Sequence, residues 1–222
     1  MDQPRLPDAS NRSVIIGSTG SGKTTAGAWL LSTKATLNYE RMPVVMFDWK
    51  GDRLINSFDA KEWGLHQRPP TKPGLYIVHP EIDVLEPVDE FLNRCWAQEN
   101  IGLFFDEAAE LEKSRAINRV MKQGRSKHIP CISCTQRPKW LPRSVFSEAD
   151  FFMLLRLNDM DDRTTVKRFI NADVHKRRAE LHSIWYDVAK DRANLFGPVI
   201  PPAEIRARIK WGSQGERARK VV

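Results

Sequence analysis

Cysteine is scarce in this chain, with three in 222 residues. An odd and small number argues against a disulfide framework, and so against the small secreted domains that need one. Cys131 and Cys134 stand as a CxxC, the spacing of a redox or zinc pair, but no second pair exists to complete a four-ligand zinc site. They lie in PCISCTQ, which reads as a strand, and residues three apart in a strand point to opposite faces. The two thiols are therefore expected to diverge as buried structural cysteines. Long apolar runs are missing too: no stretch of eighteen or more occurs, so no transmembrane helix is expected. The first twelve residues, Met1 to Arg12, are polar and contain proline, without the apolar stretch of a secretory signal. A cytoplasmic protein is expected. Internal repeats and low-complexity segments are absent.

What is present suits one globular domain. The 41% hydrophobic and 28% charged residues are ordinary, and the length suffices for a continuous core. The net charge of +7 favours a polyanionic partner without naming one. From Ala203 onward six basic residues face two acidic ones, the composition of a basic contact tail or of a plain solvated end. The expected organisation is an N-terminal arm over 1–12, a folded domain over 13–200 and a basic tail over 201–222.

Short apolar runs bounded by turn residues alternate with amphipathic stretches. The runs Val14–Gly17, Val44–Asp48, Leu75–His79, Ile101–Asp106, Cys131–Gln136 and Phe151–Leu157 are mostly continuous rather than alternating, as in strands buried on both faces. Helices are expected over Lys23–Lys34 and Glu107–Lys122, the second with Leu111, Ile117, Val120 and Met121 along one side. Ser183–Ala189 and Asn194–Val199, joined by a polar turn, read as a hairpin at the sheet edge that Pro198, Pro201 and Pro202 stop. This pattern predicts an α/β fold with a mostly parallel central sheet, helices on both faces and a C-terminal β-hairpin.

Residues 17–24 read GSTGSGKT, a complete G-x-x-x-x-G-K-[ST] motif between an apolar strand and a helix. Gly17, Gly20 and Gly22 let the backbone wrap an anion, with Ser18, Thr19 and Ser21 filling the turn and Thr25 following. Lys23 reaches β- and γ-phosphates in such a loop, the Thr24 hydroxyl binds Mg²⁺, and the helix N-terminus adds partial positive charge. ATP and Mg²⁺ are the expected ligands. The run IGLFFDEA over 101–108 delivers two acids at a strand end. Asp106 is the candidate partner of Mg²⁺ beside Thr24, and Glu107 the candidate base for the attacking water. The plain alternative is an acidic helix start. A kinase, whose nucleophile is a substrate oxygen, does not need the second acid, so the pair favours hydrolysis. Gln136 ends the next strand, where a carboxamide can sense the γ-phosphate or simply occupy a turn.

These residues resemble the FtsK–HerA superfamily of DNA-pumping ATPases, which are RecA-like P-loop NTPases of the ASCE division. The resemblance spans about Val14 to Phe169 and rests on FDWKGD at 47–52, FFDEA at 104–108, QGRSKHIPCISCTQRP at 123–138 and NDMDDRT at 158–164, besides the phosphate loop. It implies a homo-oligomeric ring, usually a hexamer, that moves double-stranded DNA. It also implies that Gln136 is the sensor, that Arg125 is first choice for a finger entering a neighbour's site, and that Arg163 is second choice. The absence of a membrane anchor and of an N-terminal barrel points to the genome-packaging ATPases of tectivirus-like membrane-containing viruses. Such a motor implies capsid or vertex proteins as partners, and the host cytoplasm or the virion vertex as location. A phage-assembly or DNA-transfer ATPase and a metabolic P-loop kinase are the alternatives. Candidate DNA contacts are Lys50–Arg53, the Arg115–Arg119 face, His175–Arg178 and the tail Arg206–Lys220, each also readable as an ordinary charge cluster. The seven tryptophans are scattered without stacking-platform spacing, so burial is their default.

Overall fold

In the computed structural model, residues 4–176 and 178–209 are described. Five strands form the catalytic half of the sheet: β1 (Arg12–Ile16), β2 (Pro43–Asp48), β5 (Gly102–Asp106), β6 (Cys131–Thr135) and β7 (Phe151–Leu154), with β3 (Lys61–Glu62) and β4 (Gly74–Val78) extending it on the β2 side. The order is β3-β4-β2-β5-β6-β1-β7, all parallel. The sheet then closes with antiparallel β8 (Ser183–Asp187) and β9 (Arg192–Phe196). The expected hairpin is there, starting at Ser183 as expected, with its first strand ending two residues earlier and its second shifted toward the turn to end at Phe196. Its residues alternate less cleanly than a free hairpin's because β8 is wholly buried while β9 forms the exposed edge.

The sheet separates two apolar layers, as strands buried on both faces require. Along β1, Val14 and Ile16 face one layer and Ile15 the other. The first layer carries α2 (Glu86–Gln98), α3 (Arg115–Gln123), α4 (Arg143–Ser147) and α5 (Met160–Lys167). The second carries α1 (Lys23–Ser32) and a helical segment at 202–209, which buries Ile205 and Ile209 there. Cys131 lies in the first layer and Cys134 in the second, so the CxxC thiols do diverge across the sheet, and burial pushes both pKa values up. Of the tryptophans, Trp29, Trp49 and Trp185 are buried, while Trp140 is exposed and stacks under the Arg137 guanidinium.

The helix expected over Glu107–Lys122 is corrected. Glu107 adopts a left-handed conformation (φ 84°, ψ 61°), which an α-helix cannot include. A single 3₁₀ turn follows over Ala108–Leu111, and α3 starts afresh at Ser114, whose hydroxyl caps the helix by accepting from the Ile117 N–H at 3.1 Å. The acidic-helix-start reading of Asp106 and Glu107 falls with it. Helix α2 was not expected from the sequence. The tail residues from 210 onward lie outside the described residues.

Candidate active site

Parallel pairing sets the register of the strand tips, and the register builds the site. Ile16 sits opposite Thr135, Cys134 opposite Asp106, and Asp106 opposite Asp48. The residues following β1, β5 and β6 thus meet at one edge, the carboxyl end where open α/β sheets bind ligands. Strand β6 lies between the phosphate-loop strand β1 and the acid-bearing strand β5, so Gln136 is delivered between them.

The phosphate loop leaves β1 and turns into α1. Gly20 and Gly22 hold φ of 73° and 88°, left-handed values that glycine adopts at no steric cost. Helix α1 has neither a side-chain cap nor an acid in its first turn, so its leading N–H groups and partial positive charge are left to an anion. Gly27 lets α1 lie directly on the sheet: a Cβ there would fall 2.6 Å from Cys134 Sγ and 3.1 Å from the Phe104 ring. Ser18 fastens the loop to the segment after β7, its N–H and hydroxyl both donating to the Arg156 carbonyl at 2.8 and 3.1 Å. Ser21 and Lys23 are buried in the loop, Thr25 half-buried behind it.

The Thr24 hydroxyl donates to Asp106 Oδ1 at 3.1 Å. Burial raises the Asp106 pKa to about 6, against the lowering effect of Lys23 and the Thr24 hydroxyl. A buried carboxylate beside a hydroxyl is a hard-oxygen donor pair that fits Mg²⁺. Among the described residues no cluster of three or more His, Cys, Asp or Glu stands ready to cage a metal. That suits an ion held partly by nucleotide phosphates and water rather than by protein alone.

Glu107 is nearly fully buried, and each hydrogen-bond or ion-pair partner of its carboxylate among the described residues is a donor. Oε2 accepts from Lys50 Nζ at 2.6 Å and lies 4.0 Å from Lys23 Nζ; Oε1 accepts from the Gln136 N–H at 3.2 Å and the Thr135 hydroxyl at 3.4 Å. Gln136 in turn accepts from the Thr19 hydroxyl at 2.7 Å, which joins the sensor position to the phosphate loop. The sequence reading missed Lys50 here, placing it among possible DNA contacts. Its position comes from a turn organised by Asp48, whose Oδ1 accepts from the N–H groups of Lys50 and Asp52, both at 3.2 Å, with Gly51 left-handed between them. An acid ending β2 four residues before another acid was the available signal.

The two arginine candidates part company. Arg163 folds back within its own chain, donating through Nε and Nη2 to the Leu157 carbonyl at 3.0 and 2.6 Å. Arg125 follows α3 at the opposite end of β6 from Gln136, more than half exposed, and pairs with Asp150 at 2.7 Å. The five-residue strand alone spans about 16 Å, so Arg125 cannot serve the site of its own chain.

An uncapped glycine loop with a buried lysine, a threonine–aspartate pair and a donor-ringed glutamate, on a sheet with an added strand between its phosphate and acid strands, defines a RecA-like P-loop ATPase. The chain belongs to the family of DNA packaging ATPases: it is 37% identical over 223 residues to the DNA packaging ATPase P9 of Enterobacteria phage PRD1, covering 95% of this chain and 96% of that protein. Solved structures share the fold. The genome packaging NTPase B204 from Sulfolobus turreted icosahedral virus 2, in complex with ATP-gammaS, superposes with TM-score 0.68 at 18% identity, over 86% of this chain and 99% of that one. EssC (ATPases 2 and 3) from Geobacillus thermodenitrificans superposes with TM-score 0.66 at 13% identity, over 94% of this chain and 45% of that one. No protein-family model matches the chain. The resemblance read from the motifs and the fold class is borne out.

Proposed function

We propose that this chain is an ATP-driven translocase that packages viral double-stranded DNA into a preformed capsid. The observation that carries it is the meeting of residues 17–24 with Asp106 and Glu107 at one sheet edge, in a chain of the packaging family. ATP is cradled by Gly17–Thr25, and Thr24 and Asp106 would hold Mg²⁺, which would supply neutralising charge to the phosphates. Lys23 steadies the phosphates, and Glu107 accepts the proton of the attacking water once the γ-phosphate has drawn Lys50 away from its Oε2. Gln136, tied to Thr19, reports whether the phosphate is present. Copies assemble as a ring, read as a hexamer, with Arg125 of each entering the next site. Capsid or vertex proteins receive the motor, in the host cytoplasm or at the virion vertex.

The experiment is turnover of ATP with and without duplex DNA, together with a search for phosphoryl transfer to small acceptors. Turnover that duplex raises several-fold, with duplex binding that weakens steeply with salt, is the expected result. DNA-indifferent turnover with transfer to a small acceptor would sink the reading in favour of a kinase.

A further inference from the structure

Beside the phosphate loop, at the same sheet edge, a second pocket of about 410 Å³ opens between the segment after β7 and the loop before β8. Its wall is cationic: Arg156, Arg163, Lys176 and Arg178 line it with His175, against only Leu157 and Val174 as apolar lining. Among the described residues none of the four permanent cations pairs with a carboxylate. Asp173, the acid next in the chain, has Oδ1 engaged by the N–H groups of His175 and Lys176 at 3.0 and 3.1 Å.

The two inner guanidiniums are held by carbonyls and, for Arg163, by the Met160 Sδ at 3.9 Å, with no carboxylate hydrogen-bonded to either. Arg163 donates to Leu157 O, while Arg178 donates to Leu155 O and Lys176 O, both at 3.1 Å. Arg178 Nε is buried with no partner. Its pKa is lowered, by burial and then by the charge of Arg163, against a smaller raising effect of Asp173. Positive groups have been brought together at a desolvation cost, with Asp173 as the one acid acting on Arg178 and no carboxylate ion-paired with the four cations among the described residues, so an anion arriving here gains charge-assisted hydrogen bonds to pre-positioned donors.

We propose that this pocket takes a phosphate of the DNA backbone. The assignment rests on the translocase reading and adds to it the place where duplex is gripped. The nucleotide does not need these groups, because its phosphates have the loop amides and Lys23, and a purine has little flat apolar wall here to lie against. The connection to ATP is short. Ser18 binds the Arg156 carbonyl through two hydrogen bonds, and the Leu155 N–H donates to Ile16 O at 2.8 Å, so a shift of the phosphate loop moves the backbone that carries the pocket.

The test uses the full chain with Arg156→Ala and Lys176→Ala combined, both exposed side chains. Duplex affinity is titrated from 50 to 200 mM salt, and affinity for an ATP analogue is measured in the same preparation. The expected result is at least tenfold weaker duplex binding and a log affinity–log salt slope shallower by about one, for the one backbone phosphate that is no longer neutralised. Arg156→Lys with Lys176→Arg restores both. Duplex affinity and slope equal to wild type overturn the pocket while leaving the translocase reading intact. Loss of ATP-analogue affinity with the duplex slope unchanged also overturns it, and assigns the cations to free nucleotide. No measurable duplex binding by the wild-type chain removes the translocase reading, and the pocket's assignment with it.

Discussion

Glu107 pays for its position in backbone strain. A non-glycine residue at φ 84° costs about 1–2 kcal/mol, and here the fold imposes it where β5 must end and turn its carboxylate toward Lys50, Lys23 and Gln136. Asp106 bears a different burden, because without a cation its charge is buried. Its folded pKa of about 6 lies above the usual carboxylate value, so the unfolded chain releases this proton first as pH rises. Stability of the Mg²⁺-free protein therefore falls between about pH 4 and 6, then levels. Asp106→Asn is expected to stabilise the Mg²⁺-free chain by about 2 kcal/mol at pH 7 and by almost nothing at pH 3, judged by denaturant titration at the two pH values. An equal gain at both would show that the carboxylate's charge is not the cause.

Among the elements, α1 is the one on which the site turns, and its length and start were legible from the strand–loop–helix order around GSTGSGKT. The role of Gly27 was not, because a glycine inside a helix looks like a propensity defect until the sheet beneath it is known. Gly27→Val is expected to cost about 3 kcal/mol through overpacking against Cys134 and Phe104. It should also weaken ATP-analogue binding, since α1 carries the phosphate loop. A normal melting midpoint in that variant would mean α1 can move off the sheet freely. Helix α2 is a different kind of miss. Glu86 and Asp89 in its first turn, a proline beside them, and Val88, Phe91, Leu92 and Cys95 at helical spacing were all readable. The false helix at 107–114 is a third kind: its apolar residues Ala108, Ala109 and Leu111 are buried, but the strand-end turn overrides local propensity.

At the scale of the molecule, the parallel order placing β6 between β1 and β5 could be anticipated only as a class, since pairing partners are non-local and leave no local pattern. The same is true of Lys50, which meets Glu107 across 57 positions of sequence. Motif reading could single out the phosphate loop, Asp106, Glu107 and Gln136, which the fold brings together, because spacing along one segment defines each; it did not see the Lys50–Glu107 contact because a through-space pair defines it. The proposed ring is tested through where Arg125 stands. Mixing Arg125→Ala subunits with Glu107→Gln subunits, each expected to be at least 10²-fold slow alone, should recover turnover wherever an intact arginine from one meets an intact glutamate of the other. Mixtures no faster than either parent would show that Arg125 serves no neighbouring site.

The Asp150 contact that keeps Arg125 on the rim far from the chain's own nucleotide has a further implication. With Arg125 as the completing group, a pair of copies joined head-to-tail completes one site and leaves the other open, because the donor and acceptor surfaces lie on opposite rims of one sheet. Such contacts either close on themselves or run on as a filament. Dilution should therefore extinguish hydrolysis faster than it lowers protein, so that specific activity itself depends on concentration.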